Sequence, residues 1–318
     1  MLEFNGPEHE RFADMTLPRL DIAIFSYNRG AYLKNCVDSL QRNMPGIGWM
    51  VYDDGSDEPD TVAYLQSLGE RVLHMKSTGE DRHGGYYNNM QAALDGSQAD
   101  YLLMLQDDLQ VVRPFAQEDL SRIDQVFAQS PSTVFISPLF MKGSKRAYFQ
   151  QRYQPDAGLR CYRWSADPQE SGKVPQKYAD IAVLHVARLR QSGWRFEGSE
   201  EANGALADRL FGDMVQAAEP WVFYVPEEPA YRGRVLTFGA KLAVKMSGNT
   251  VKSFQDMSAQ VSLAFAQRDL SVYPFAEDFV DTVDPTVRKP YKFNAYRTRW
   301  LPLILNKLEL WGRRLWRP

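Results

Sequence analysis

The sequence predicts an α/β fold built on a mostly parallel sheet covered by helices on both faces. Two observations carry that expectation. Short apolar segments alternate with stretches of helical periodicity from Leu20 to Val112, the rhythm of consecutive βαβ units. The apolar segments also close on polar residues, as strands do where a buried sheet meets its rim. In chain order, LDIAIFSYN from Leu20 to Asn28 reads as the first strand. AYLKNCVDSLQRNM follows, with Leu33, Cys36, Val37, Leu40 and Met44 at helical spacing. GWMVYDD, from Gly48 to Asp54, is a second strand, and GSDEPDTVAYLQSL begins with turn and capping residues before a helix. RVLHM is a third strand, GGYYNNMQAALDGS opens on glycines and continues as a helix, and DYLLMLQ is a fourth strand.

Ligands of such sheets bind beyond the carboxyl ends of the strands. Ser26, Tyr27 and Asn28, then Asp53 and Asp54, then Gln106, Asp107 and Asp108 are therefore expected on one rim. The last group poses a physical problem, because YLLMLQDDLQVV sets two adjacent carboxylates inside an apolar run. A buried carboxylate is costly unless a cation or hydrogen-bond donors meet it. Either the run ends at an edge where the acids face water, or something positive rests on them.

Beyond Val112 the pattern loosens. EDLSRIDQVFAQ reads as a helix and STVFISPLF as a strand, whereas the segment from Lys142 to Lys177 is polar, aromatic and without clear period. YADIAVLHVARLRQSGW and SEEANGALADRLFGDMVQAA are ordered core pieces, and PWVFYVPEEPAYRGR is a further strand and turn. From Leu236 a helical stretch carries Lys241, Lys245 and Lys252, followed by a Pro-interrupted tail. No internal repeat or low-complexity tract is present.

The composition is globular, with 44% hydrophobic and 24% charged residues and a formal net charge of −3 over 318 residues. That balance argues against bulk nucleic-acid binding. Cys36 and Cys161 are far apart in sequence, so neither a disulfide framework nor a zinc motif is implied, and a reducing compartment fits. The first residues carry Glu3, Glu8 and Glu10 and no apolar core, unlike a signal peptide. No run approaches a spanning helix. The expected location is cytoplasmic, either free or peripheral on the inner face of a membrane.

Four segments together resemble a family 2 glycosyltransferase of the GT-A fold. FSYNRGAYLKNCVDSL is similar to the first strand and helix of that family with its Ser-Tyr-Asn signature. VYDDGSDEPD is similar to the second strand's Asp-Asp-Gly-Ser, and GGYYNNMQAALDGSQADYLLMLQDDLQV to the helix that runs into the DxD motif. SGWRFEGSEEANGALADRLF resembles, more loosely, the acidic segment that holds the catalytic base. The resemblance implies a GT-A-type, Rossmann-like mostly parallel sheet sandwiched by helices, with a helical C-terminal extension. Its expected division is an N-terminal extension at 1–19, a catalytic domain at 20–235 and the extension at 236–318. Within the catalytic domain it implies a nucleotide-sugar half at about 20–113 and an acceptor half at about 114–235.

The same resemblance implies roles. Asp108 is expected to touch a divalent cation, Mn²⁺ or Mg²⁺, that neutralises the departing diphosphate. Asp107 is expected beside it, on the metal or on the donor's ribose or sugar hydroxyls. Asp54 would accept the ring N–H of a uracil-like base, and Tyr27 would offer that base a stacking face. Ser26, Asn28, Arg29 and Asp53 complete the nucleotide site, with Asp53 also able to support its loop. Arg82, beside His83, would meet the diphosphate near the start of a helix at Tyr86. Glu201 is expected as the base that takes the acceptor's proton, with Glu200 the close alternative. The sequence departs from the family pattern at Gln106, at Tyr87, at Asn203 and at Tyr231, and the last substitution leaves only Arg232 to meet phosphate there.

Each motif also has a plainer role: DDGSDE suits a turn and helix cap, and Glu200-Glu201 suits a helix N-terminus. The expected activity is inverting transfer of a sugar from a nucleotide donor, UDP-linked, to a glycan or lipid-linked acceptor in cell-surface polysaccharide synthesis. Two alternatives are a nucleotidyltransferase acting on sugar phosphates and a non-catalytic nucleotide-sugar or glycan-binding domain. The tail YRTRWLPLILNKLELWGRRLWRP mixes Trp300, Trp311 and Trp316 with Leu301, Ile304, Leu305, Leu308 and Leu315 and six basic residues. That mixture suits a helix lying in a membrane interface, or one docked on its own domain or on a second subunit.

Overall fold

The computed structural model describes residues 20–75, 85–165, 176–226, 237–247, 250–293 and 300–315. Strand β1 (Leu20–Ser26) lies between β2 (Gly48–Asp53) and β4 (Tyr101–Gln106) and is parallel to both, and β2 is parallel to β3 (Val72–His74). Helices α1 (Gly30–Asn43), α2 (Pro59–Leu68) and α3 (Tyr86–Gly96) make the crossovers. The expected first half is thus found within a residue or two of its predicted bounds.

The chain continues through β5 (Leu109–Val111), α4 (Gln117–Gln129), β6 (Phe135–Ser137), α5 (Arg146–Arg152), β7 (Tyr153–Asp156) and β8 (Cys161–Trp164). Next come β9 (Val183–His185), α6 (Val186–Gln191), α7 (Glu200–Leu210), β10 (Val215–Ala217) and β11 (Val222–Tyr224). Helices α8 (Phe238–Ser247), α9 (Ala259–Ala266), α10 (Ala276–Phe279) and α11 (Trp300–Leu315) complete the described residues. The nine-stranded sheet has the order β3-β2-β1-β4-β9-β6-β10-β8-β7, and β5 pairs with β11 in a separate ribbon. Only β8 and β9 run against the other strands of the large sheet.

Both faces of the sheet are covered, and the side chains divide between them with the period of two that a strand imposes. Ile22, Ile24, Val51, Leu103 and Leu105 face Leu33, Cys36, Val37 and Leu40 of α1 and Phe127 of α4. Ala23, Phe25, Leu102 and Met104 face Tyr86, Met90 and Leu94 of α3. At roughly 1.5–3 kcal/mol for each large apolar side chain buried, this sandwich makes the strand interiors hostile to charge. The acids are consequently confined to the rim.

A close approach fixes the start of α1. Gly30 N donates to Thr61 Oγ1 at 2.7 Å, and a Cβ on Gly30 would stand 2.8 Å from the Thr61 Cα. A Gly→Ala change at an unstrained site adds about 0.4–1 kcal/mol of stability. Gly30→Ala is expected to reverse that sign and destabilise by about 1–3 kcal/mol, because α1 must move off α2. Urea unfolding that shows a lower midpoint at unchanged slope would bear this out.

Two parts differ from the sequence expectation. The aperiodic segment from Lys142 contains α5 and the β7–β8 hairpin, which supplies the edge of the large sheet; residues 166–175 lie outside the described residues. Alternation is blurred there by Pro155 within β7 and by half-buried Arg163 and Trp164 in β8. The helical stretch expected to include Lys252 ends with α8, and Lys252 instead pairs with Asp284 at 2.6 Å from an irregular segment. That segment is held by burial, with Phe254, Met257, Phe265, Val280 and Tyr291 packing on Phe140 and Phe223.

Candidate active site

The strand order places the site. Neighbours are added on one side of β1 through β2 and β3, and on the other side through β4. The carboxyl ends of β1 and β4 therefore flank the switch point of the sheet, where two loops diverge and leave a crevice. Asp107 N donates to Phe25 O at 3.1 Å, continuing the ladder by one step, and Tyr27 N donates to Asp107 Oδ2 at 3.3 Å. The strand leaves the sheet at this step, but the acids that follow it do not face water, so that resolution of the acid problem fails.

The other resolution is the one found. Arg29, the residue before α1, turns its guanidinium onto both acids, with Nη1 2.9 Å from Asp108 Oδ2 and Nη2 paired with Asp107 Oδ1. Asp107 and Asp108 are 0% and 2% exposed, and the Arg29 side chain is 9% exposed. Arg29 was expected on the nucleotide, and here it rests on the acid pair. Asp108 Oδ1 is buried and accepts no hydrogen bond among the described residues. An orphaned carboxylate oxygen at a rim fits a divalent-cation ligand. No group of three or more His, Cys, Asp or Glu residues suited to an ion occurs among the described residues.

The loops after β1 and β2 are stitched together. Asn28 adopts φ +50°, a conformation Asn tolerates better than most residues. Its Oδ1 accepts from Asp57 N and Glu58 N at 2.9 and 3.0 Å, while its own N donates to Ser56 Oγ at 2.9 Å. Buried Asp53 accepts from Ser56 N at 2.9 Å and lies 3.4 Å from His74 Nδ1, so it braces the loop. Asp54 receives Gly85 N on both oxygens, at 2.8 and 2.9 Å. The carboxylate of Asp54 thus sits at the start of α3, where the helix dipole favours an anion. Ser26 is buried, and its Oγ has no hydrogen-bond partner among the described residues. Gln106, where the family motif often has an acid, donates Nε2 to Tyr86 OH at 2.9 Å. Arg82, His83, Tyr231 and Arg232 lie outside the described residues.

Glu200 and Glu201 occupy the first turn of α7, both exposed, and Ser199 caps the helix by accepting Ala202 N at 3.1 Å. Asn203, a departure from the family's acid, is fully buried. It accepts Glu197 N at 2.8 Å and donates to Ser199 O at 3.0 Å, and so fixes the loop that presents the two glutamates.

Three further groups belong to this rim and were not singled out in the sequence. Met104 N donates to Ala182 O, and antiparallel pairing continued for two residues brings Asp180 level with Gln106. Asp180 accepts Tyr178 OH at 2.7 Å and Tyr87 OH at 3.3 Å. Burial first, and then the charges of Asp180 and Glu200, raise the Tyr87 phenol far above its ordinary range, so it stays a donor. Tyr224 is likewise raised by burial and then by the fields of Asp108, Glu200 and Asp180. Its ring is covered by Lys142 Nζ at 4.4 Å from the centroid. Asp180 is not legible in the sequence because it stands at the entry of an antiparallel strand, whereas the expected rim residues stand at the exits of parallel ones. Lys142 was missed as an individual because its segment has no period.

The chain also matches known proteins. The family model described as Glycosyl transferase family 2 matches residues 21–185. Among solved structures, TarS 1-349 of S. aureus is similar at 13% identity and TM-score 0.40, covering 65% of this chain and 60% of that one. Full S. aureus TarS is similar at 11% identity and TM-score 0.40, over 78% of this chain and 42% of that one. TarS 1-349 in complex with UDP is similar at 11% identity and TM-score 0.38, over 78% and 69%. No curated protein matches the chain.

Proposed function

Because the chain belongs to glycosyltransferase family 2, we propose that it moves a sugar from a UDP-linked donor to a glycan or lipid-linked acceptor of a cell-surface polysaccharide, with inversion. The observation that carries this reading is the acid pair at the switch point, with one buried carboxylate oxygen of Asp108 open to a cation. Asp108 is the cation ligand, with Asp107 beside it. A divalent cation there would supply Lewis acidity to the leaving diphosphate. Asp54 receives the ring N–H of the base, Tyr27 stacks on it, and Ser26, Asn28, Asp53 and Arg82 complete the nucleotide site. Glu201, or Glu200 beside it, takes the proton of the acceptor hydroxyl as its oxygen attacks the anomeric carbon. Both glutamates stand exposed in the first turn of α7, where an acceptor hydroxyl can reach them. The acceptor is drawn from the side of Lys142 and the C-terminal third, with 20–235 as the catalytic domain and 236–318 as its extension.

The test is a thermal-shift comparison of UDP with and without Mn²⁺, followed by transfer or donor hydrolysis by Glu201→Gln and Glu200→Gln. UDP is expected to raise the melting temperature only when Mn²⁺ is present. Glu201→Gln is expected to lower turnover by about 10²–10⁴-fold without changing that shift. Turnover equal to the native protein's in both variants would remove the glutamates from the reaction. Absence of any shift would return the chain to a binding role for another ligand.

The extension adds a place of work. Helix α11 packs on α8 through Asn306, whose Oδ1 accepts Thr237 Oγ1, and through the close approach of Gly239 to the Pro302 backbone. Trp300, Leu301, Ile304, Leu308 and Trp311 fall on the opposite stripe, with Trp300 74% and Trp311 64% exposed. No helix among the described residues is long and apolar enough to cross a membrane. Trp, Leu and Ile on one stripe in a segment rich in Arg and Lys suit the surface of an anionic leaflet. The chain is expected to sediment with phosphatidylglycerol vesicles and not with purely zwitterionic ones. Trp300→Ser with Trp311→Ser is expected to lower that binding about tenfold. Equal sedimentation of native and doubly substituted chain would locate the acceptor elsewhere.

A further inference from the structure

The geometry points to Arg29 as the resident counterion of the acid pair, which keeps a divalent cation out of the site until a diphosphate arrives. The inference deepens the donor-binding reading and rests on it. Asp107 Oδ1 and Oδ2 are taken by Arg29 Nη2 and Tyr27 N, and Asp108 Oδ2 by Arg29 Nη1 at 2.9 Å. What remains for a cation is Asp108 Oδ1. Among the described residues one guanidinium is set against the two carboxylates, which leaves Arg29, Asp107 and Asp108 together with a single net negative charge. A dication placed on Asp108 Oδ1 would stand beside a guanidinium that does not lose its proton, in a region where charges are poorly screened.

Repulsion from Arg29 therefore cancels much of the attraction the acids exert, and the dication gains too little to stay. A nucleoside diphosphate brings further negative charge and its own oxygen ligands, and the balance then turns in favour of the metal. Arg29 is held for this task by its position. Asn28 is tied to the neighbouring loop by four hydrogen bonds, one through its backbone N and three through its side chain, and α1 begins at Gly30 against Thr61. The guanidinium is thereby delivered to the acids rather than to solvent. Arg29 is a positioning residue for the charge state of Asp108, and it makes the order of binding a property of the fold.

Free Mn²⁺ measured by electron paramagnetic resonance tests this with Mn²⁺ alone and with UDP. Donor-free native protein is expected to leave the signal of aqueous Mn²⁺ unchanged, and UDP is expected to draw Mn²⁺ onto the protein beyond what UDP alone removes. Arg29→Met keeps the stem and removes the charge, and it is expected to bind Mn²⁺ without UDP at least about tenfold more tightly than the native chain. Adding Asp108→Asn to that variant is expected to abolish the gain. Tight uptake of Mn²⁺ by native donor-free protein overturns the inference, and so does a folded Arg29→Met that gains nothing. Should Arg29→Met fail to fold, Arg29→Lys and the native measurement decide, with the Lys variant expected to exclude Mn²⁺ as the native chain does. A protein that behaves as expected toward Mn²⁺ alone but ignores UDP loses the donor reading and keeps the Arg29 assignment.

Discussion

Asp108→Asn is expected to abolish the metal-dependent part of UDP stabilisation and to lower sugar transfer on the order of 10³-fold. The magnitude follows from the several kcal/mol that a Lewis-acidic cation supplies to a developing charge, at one decade per 1.4 kcal/mol. The folded state should hardly notice the change. Asn keeps an oxygen for Arg29 Nη1, and the Arg29–Asp107 pair is untouched. Melting temperature in the absence of ligand should thus stay close to the native value, while the Mn²⁺-dependent increment disappears. That split separates loss of a ligand from loss of structure. Retention of the increment would move the cation away from the acid pair altogether.

The second large effect is on stability and lies away from the rim crevice. Glu219 is 3% exposed and receives three arginines: Arg122 at 2.8 Å, Arg160 through Nε at 3.1 Å, and Arg268 at 3.7 Å. Beside it, Arg113 grips Asp119 with two bonds of 2.7 and 3.0 Å. This cluster ties α4, the β7–β8 turn, the loop entering β11 and the end of α9 to one another. Glu219→Gln keeps the shape and deletes the charge on which the three guanidiniums converge. Breaking a fully buried pair from one side costs about 3–5 kcal/mol; with Arg268 7% exposed but Arg122 and Arg160 27% and 31% exposed, the loss is expected at the lower end, about 3 kcal/mol. Guanidinium-free denaturation in urea should show a loss of that size. As a control, Asp38→Asn, which breaks the exposed Lys34–Asp38 pair, should change stability by no more than about 0.5 kcal/mol. Equal effects of the two substitutions would mean that the Glu219 cluster is solvated in solution.

The first four strands and three crossover helices were legible because βαβ units write their boundaries in local chemistry. Apolar runs end in polar residues at the rim, and Glu58 caps α2 by accepting Thr61 N at 2.9 Å. The rim acids were legible for the same reason, since a carboxylate after a buried strand has few other places to be. Their partners were not. Arg29 and Asp108 are far apart in sequence, and the pairing depends on the switch point, which is a property of strand order. The contact of Asp54 with Gly85 N was not legible either, because a helix start and a nucleotide ring offer a carboxylate the same kind of donor. The sheet edge beyond β10 was illegible for a different reason. Its strands are short, half-polar and stabilised by ring contacts, edge to face between Tyr153 and Trp164 and stacked between Tyr162 and Tyr273, which leaves no period to read.

Cys36 lies fully buried under the acids, its Sγ facing Gln106 O at 3.8 Å, and burial followed by the charges of Asp107 and Asp108 pushes the thiol far above its usual range. Cys161, the second of the chain's two cysteines, is buried as well, and its thiol is raised to about 12. Electrophiles attack the thiolate, so neither sulfur offers a maleimide or an iodoacetamide anything to react with while the fold is intact. A single cysteine placed on an exposed position of α7 or α11 could therefore carry a fluorophore without first erasing the native pair, and the sudden labelling of Cys36 would announce that the sheet beneath the crevice had opened.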